Sequence, residues 1–167
     1  MIRTIQFIAI LIAAALCLLF DCEVNASLKE EQEWNQWRGP NRDGQVSGPA
    51  WPERLTDNYL EQRWRVTLGP SYSGPVVSAE AVFVTETKDK STEVVRALSR
   101  ATGKELWKVE WPGALSVPFF AKSRGDWMRA TPAYDGKSLF VAGMRDVLVS
   151  LEAKTGKENG AWISPKR

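Results

Sequence analysis

The chain has 167 residues, with 22 basic and 20 acidic side chains, a formal charge of +2, eight tryptophans, two cysteines and no histidine. So even a charge balance leaves no electrostatic footprint for nucleic acid. Without histidine, imidazole-dependent triads are excluded.

Arg3 precedes an apolar stretch from Phe7 to Phe20, followed by Val24-Asn25-Ala26. This is the pattern of an export signal over residues 1–26, with cleavage expected after Ala26. The apolar run is short for a membrane span, so no stable span is expected after cleavage; an uncleaved anchor is the alternative. The protein is expected to be exported, periplasmic or secreted. Cys17 and Cys22 both lie in this segment, so the mature chain would carry no disulfide although it enters a compartment where disulfides form. Losing Arg3, Asp21 and Glu23 moves the formal charge only from +2 to +3. The remainder is long enough for one domain with a real core.

Residues 27–59 read as an irregular arm. Trp34 to Pro52 holds three prolines, three glycines and three tryptophans and shows no helical period. Its aromatic density argues against plain disorder, and Trp34, Trp37 and Trp51 are expected to pack against the repeats that begin near residue 60. An aromatic sugar-binding platform is the alternative.

From residue 60 onward the chain repeats itself. Gly74-Pro75-Val76-Val77 leading to Val82-Phe83-Val84 returns as Thr131-Pro132-Ala133-Tyr134 leading to Leu139-Phe140-Val141, 57 residues on. Ala101-Thr102-Gly103-Lys104-Glu105 returns as Lys154-Thr155-Gly156-Lys157-Glu158, 53 residues on. The first copy therefore carries four extra residues. Trp64, Val66 and Leu68 alternate with Arg63, Arg65 and Thr67, and Trp107, Val109 and Trp111 alternate with Lys108 and Glu110, which predicts two half-buried strands. Ala81 to Thr85 and Glu93 to Leu98 are strands by their β-branched content, with Glu86 to Ser91 as a hairpin loop absorbing the surplus. In the second copy, Leu139 to Ala142 and Val147 to Leu151 flank a shorter connection. Trp64 to Trp107 spans 43 residues, a plausible repeat period, and residues 112–131 contain a 14-residue insertion. Repeats of this size, built of short β-runs and turns, point to a propeller or related array, with the insertion as the first place to look for a binding surface. The chain is too short for a closed ring of four blades, so it reads as the N-terminal part of a longer propeller or a truncated gene product.

The stretch Ala97-Leu98-Ser99-Arg100-Ala101-Thr102-Gly103-Lys104-Glu105-Leu106-Trp107 resembles the tryptophan-docking motif of the quinoprotein-type, or pyrroloquinoline quinone (PQQ)-like, β-propeller repeat family. Ala97, Gly103 and Trp107 match it; Ser99 stands where the family has Asp. In the second copy Gly156 is kept, Ser150 and Glu152 replace Ala and Asp, Gly160 stands where Trp is expected, and Trp162 comes two residues late. The outer strand there is expected either to contain an insertion or to be degenerate. The opening Trp34 to Gly44 also looks like the start of exported bacterial members. The resemblance implies an all-β fold of about two four-stranded antiparallel blades of an incomplete quinoprotein-like propeller over residues 60–167. It also implies that Ala97, Gly103, Trp107 and Gly156 form the blade-docking motif, with Trp107 packed on the adjoining blade.

The same family includes PQQ-dependent dehydrogenases, which use the quinone with Ca²⁺, and members that bind no quinone. No catalytic residue, metal ligand or cofactor site is assigned, and no zinc set exists without thiolate or imidazole. Gly103-Lys104 and Gly156-Lys157 lack the earlier glycine and following Ser or Thr of a phosphate loop. The expected function is a non-catalytic exported repeat module for protein or ligand binding, with another envelope protein engaging residues 112–131. The alternatives are a partial PQQ-dependent oxidoreductase and a product without independent function.

Overall fold

Valine-rich runs favour extended backbone, and tight turns fold them back on one another. The computed structural model describes residues 32–48, 50–113, 127–144 and 146–163. The expected export segment and most of the 112–131 insertion lie outside the described residues. Strands β1 (Val76–Val77), β2 (Ala81–Lys88), β3 (Thr92–Ser99) and β4 (Glu105–Pro112) form one antiparallel sheet in that order. Strands β5 (Ala133–Tyr134), β6 (Ser138–Ala142), β7 (Val147–Glu152) and β8 (Glu158–Ile163) form the second in the same order. The described fold is all-β, two four-stranded antiparallel blades as the repeat predicts.

The two registers superimpose. Phe83, Ala97 and Trp107 lie in one row of the first blade, and Phe140, Ser150 and Gly160 in the matching row of the second. A register shift falls at Ala97/Leu98 in one and at Ser150/Leu151 in the other. The outer strand of the second blade is therefore complete and contains no insertion. Gly160 holds the place of Trp107, and Trp162, opposite Leu148, holds the place of Val109. A Cβ on Gly160 would meet nothing within 4 Å, and its φ is not in the left-handed region. Gly160→Ala should accordingly raise the urea midpoint, by about 0.5–1 kcal/mol of stability, because a strand glycine only adds unfolded-state entropy there.

The β2–β3 hairpin corrects one expectation. Its ladder runs on to Lys88 opposite Thr92, three pairs beyond the point where the second blade's ladder stops, and only Asp89, Lys90 and Ser91 turn the chain. The four surplus residues lengthen the strands, not the loop. Thr87 and Glu93 explain why: both point inward and are buried, and buried backbone needs ladder partners. Asp89 (φ 51°) and Lys90 (φ 56°) take the left-handed conformation whose twist matches a two-stranded ribbon, and the Ser91 N–H donates to Lys88 O at 3.2 Å.

The core lies between the blades. Phe83, Val95 and Ala97 of the first meet Leu139, Val141, Val149 and Leu151 of the second, with Met128 among them. The Phe83 ring lies 5.9 Å from Trp107 and 5.6 Å from Tyr134. Repeat-equivalent positions also touch directly. The Gly74 N–H donates to Thr131 Oγ1 at 3.2 Å, and the Ser71 hydroxyl to Met128 O at 3.4 Å.

Two further expectations change. Trp64 to Leu68 is extended, with Trp64 and Val66 half-buried, but joins no ladder. It runs over the far face of the first blade, where Arg96 donates to Thr67 O at 3.4 Å, the Gly69 N–H reaches Glu86 Oε2 at 2.5 Å and the Thr87 N–H reaches Pro70 O at 2.9 Å. In the arm, Trp34 packs as expected, whereas Trp37 and Trp51 are 63% and 68% exposed. Positive φ at Arg38 and Gly39 turns the chain away after Trp37, whose ring lies under the Arg38 guanidinium at 5.4 Å. Nothing in the structure draws Trp51 inward. Among the described residues, no helix is long and apolar enough to cross a membrane.

Candidate functional site

The groups with the most chemistry are gathered where one blade meets its neighbour. Trp107 projects from β4 across the interface, and its Nε1–H donates to Ala153 O at 2.9 Å. Its ring lies on Gly156, where φ is +74° and an added Cβ would stand 2.7 Å from the indole. Glycine is required there twice over, for the left-handed turn and for the close approach. Ala97, fully buried, sits beside Trp107 in the row. Gly103, the other motif residue, does not meet Trp107. It takes Trp64 in the same manner, with φ +71°, a Cβ distance of 2.7 Å to the ring and a Trp64 Nε1–H bond to Arg100 O at 2.8 Å. Each blade's glycine turn thus receives an indole from the preceding segment. Trp64 is readable as a docking residue from its 43-residue spacing to Trp107, but its alternation reads equally as a strand.

Glu93 is the residue that the sequence pattern hides. It lies in line with Val95 and Ala97 on the inward face of β3 and is fully buried. Its Oε2 accepts from Trp111 Nε1 at 2.7 Å, and its Oε1 from the Met144 N–H at 2.6 Å. Trp111 belongs to the first blade and Met144 to the β6–β7 turn of the second, so one carboxylate ties both. Gly113 and Gly143 leave the room it needs, since a Cβ at either would collide with the Glu93 side chain. Such charge-assisted bonds are shorter and stronger than neutral ones.

At the end of the interface away from the β2–β3 hairpin, a cleft of about 680 Å³ opens between the blades, lined by Glu33, Phe83, Leu106, Tyr134, Glu152 and Lys154 among others. The Tyr134 hydroxyl donates to Gly136 O at 2.8 Å. Burial, and then the carboxylates of Glu33, Asp135 and Glu80, push its pKa above the ordinary phenol value. A raised folded-state pKa stabilises fully below the unfolded value near 10 and is lost as pH climbs through the folded value. Titration followed at 295 nm should therefore show a late phenolate component that Tyr134→Phe removes, and its absence in the unsubstituted chain would contradict the burial. Asp135 is shifted the other way, its carboxyl held below the usual range by the N–H groups of Ser138 and Lys137 at 2.6 and 2.9 Å. It caps the β5–β6 turn.

Among the described residues, no three His, Cys, Asp or Glu side chains come together to hold a metal ion.

Two four-stranded antiparallel sheets, joined through indole and glycine, define a blade pair of the β-propeller type. Residues 91–159 match the family model described as outer membrane protein assembly factor BamB. The crystal structure of BamB from Moraxella catarrhalis is 22% identical, with a TM-score of 0.44, over 60% of this chain and 26% of that one. A europium-containing methanol dehydrogenase is 20% identical, with a TM-score of 0.41, over 59% of this chain and 17% of that one. The chain thus spans about a quarter or less of the length of these two structures. No curated protein matches it.

Proposed function

We propose that the chain is a non-catalytic, exported repeat module that binds or scaffolds a protein or ligand in the cell envelope. The observation that supports this reading is the use made of its buried polar groups. The Glu93 carboxylate accepts from two donors on two blades, and the Trp107 and Trp64 N–H groups are both given to turn carbonyls. These are the investments of a rigid display framework. Export rests on the Arg3 and Phe7 to Phe20 pattern, and residues 112–131 are the proposed contact surface for an envelope protein.

Two measurements test the reading. Tagged chain, with and without the 112–131 insertion, is used to capture partners from envelope extract; recovery that depends on the insertion supports the module, and no recovery with either chain counts against it. Added PQQ and Ca²⁺ should give neither bound-quinone absorbance nor dye reduction. Turnover under those conditions would replace the module with a quinoprotein oxidoreductase.

A further inference from the structure

The inner edges of both blades are covered by three residues of the arm. β1 and β5 are the first strands of their sheets, and Val77 and Tyr134 are repeat-equivalent residues on them, 57 positions apart. The Trp34 N–H donates to Val77 O and the Val77 N–H to Trp34 O, both at 2.8 Å. The next carbonyl along, Asn35 O, accepts from the Tyr134 N–H at 2.8 Å. Successive peptide groups of an extended chain point to opposite sides, so residues 33–35 pass between the blades and bond one with each carbonyl. Glu33 adds a bond from the Ala79 N–H to its Oε1 at 3.1 Å. Among the described residues from 40 to 63, all but Pro52 are exposed. The strap is therefore followed by a long exposed arm.

We propose that this inner-edge slot is a strand-docking surface, held in cis by residues 33–35, and that its exchange partner is an extended polypeptide segment carrying an acidic side chain at the place of Glu33. The slot supplies outward-pointing main-chain donors and acceptors on β1 and β5, which is the chemistry of strand addition. The acidic residue meets the Ala79 N–H, as Glu33 does now. A strap tethered in the same chain competes at an effective concentration in the millimolar range, so a partner strand gains entry only when the strap is weakened or the partner's own contacts are more extensive. The proposal rests on the reading of the chain as a binding module, but failed strand exchange leaves capture through residues 112–131 untouched.

The test uses full-length chain carrying Trp34→Pro, which removes the N–H given to Val77 O, and a fluorescein-labelled peptide of residues 33–37 followed by anisotropy. The peptide should bind the Trp34→Pro chain at least about tenfold more tightly than the unsubstituted chain. A peptide with proline in place of the first tryptophan should bind neither. Equal binding to both chains, or binding to neither folded chain, overturns the proposal. If Trp34→Pro does not fold, hydrogen exchange on the unsubstituted chain decides. The Val77 and Tyr134 amides should then exchange at least about tenfold faster than those of Val95 and Val149, through local opening of the strap. Exchange of all four at one common rate overturns it.

Discussion

Trp107→Ala should lower the stability of the chain by about 3 kcal/mol, the lower part of the range for truncating a large aromatic, because the ring is half-buried and not enclosed. Part of the loss is packing against Phe83 and the Gly156 turn; the rest is Ala153 O, which gives up its indole donor. Gly156→Ala should cost about 1–2 kcal/mol from the left-handed backbone alone, and more from collision with the ring. The two costs are not independent. In the Trp107→Ala background the collision vanishes and only the backbone cost remains, so a double-mutant cycle by urea denaturation should show clear coupling. Additive losses, or a loss under about 1 kcal/mol for Trp107→Ala, would mean that the indole does not hold the blades.

Glu93→Ala is expected to be at least as damaging. Two part-buried donors, Trp111 Nε1–H and the Met144 N–H, would lose their acceptor, and each orphaned group costs up to about 1–3 kcal/mol. Glu93→Gln should recover only part of this, since the amide keeps a single acceptor oxygen where two donors converge. A sharper result concerns the glycines. Gly143→Ala collides with Glu93 in the native chain, so it should be strongly destabilising alone and nearly neutral once Glu93 is alanine. If Gly143→Ala costs the same in both backgrounds, the carboxylate is not where the interface needs it.

The repeat, its hairpins and the glycine turns at Gly103 and Gly156 are readable from residue patterns because each depends on local chemistry: β-branched runs, alternation, and a residue able to take positive φ. Trp107 is legible for the same reason, as the large apolar residue following such a turn. Trp64 is half legible. Its alternation with Val66 is that of a strand, but a ladder needs a neighbour, and no local pattern reveals whether one is present. Glu93 is hidden because an acidic residue on a strand ordinarily marks the wet face; its burial depends on donors 18 and 51 residues away. The expected β2–β3 hairpin is too short for a related reason, since Glu86 to Ser91 is polar in composition while Thr87 is buried by its partners. Trp37 and Trp51 show the converse, as aromatic content alone does not bring a side chain inward.

The lengthened hairpin has a mechanical consequence. The Glu93–Trp111 and Ala97–Trp107 pairs lie four residues apart along the first blade, about 13 Å, and each row ties the second blade through a different bond, the Trp107 indole to Ala153 O in one and the Met144 N–H to the Glu93 carboxylate in the other. A single pin would let the blades swivel about it. Two separated pins on one blade resist torque, so neither fastening can be released by rotation while the other holds, and the pair should part in one step or not at all.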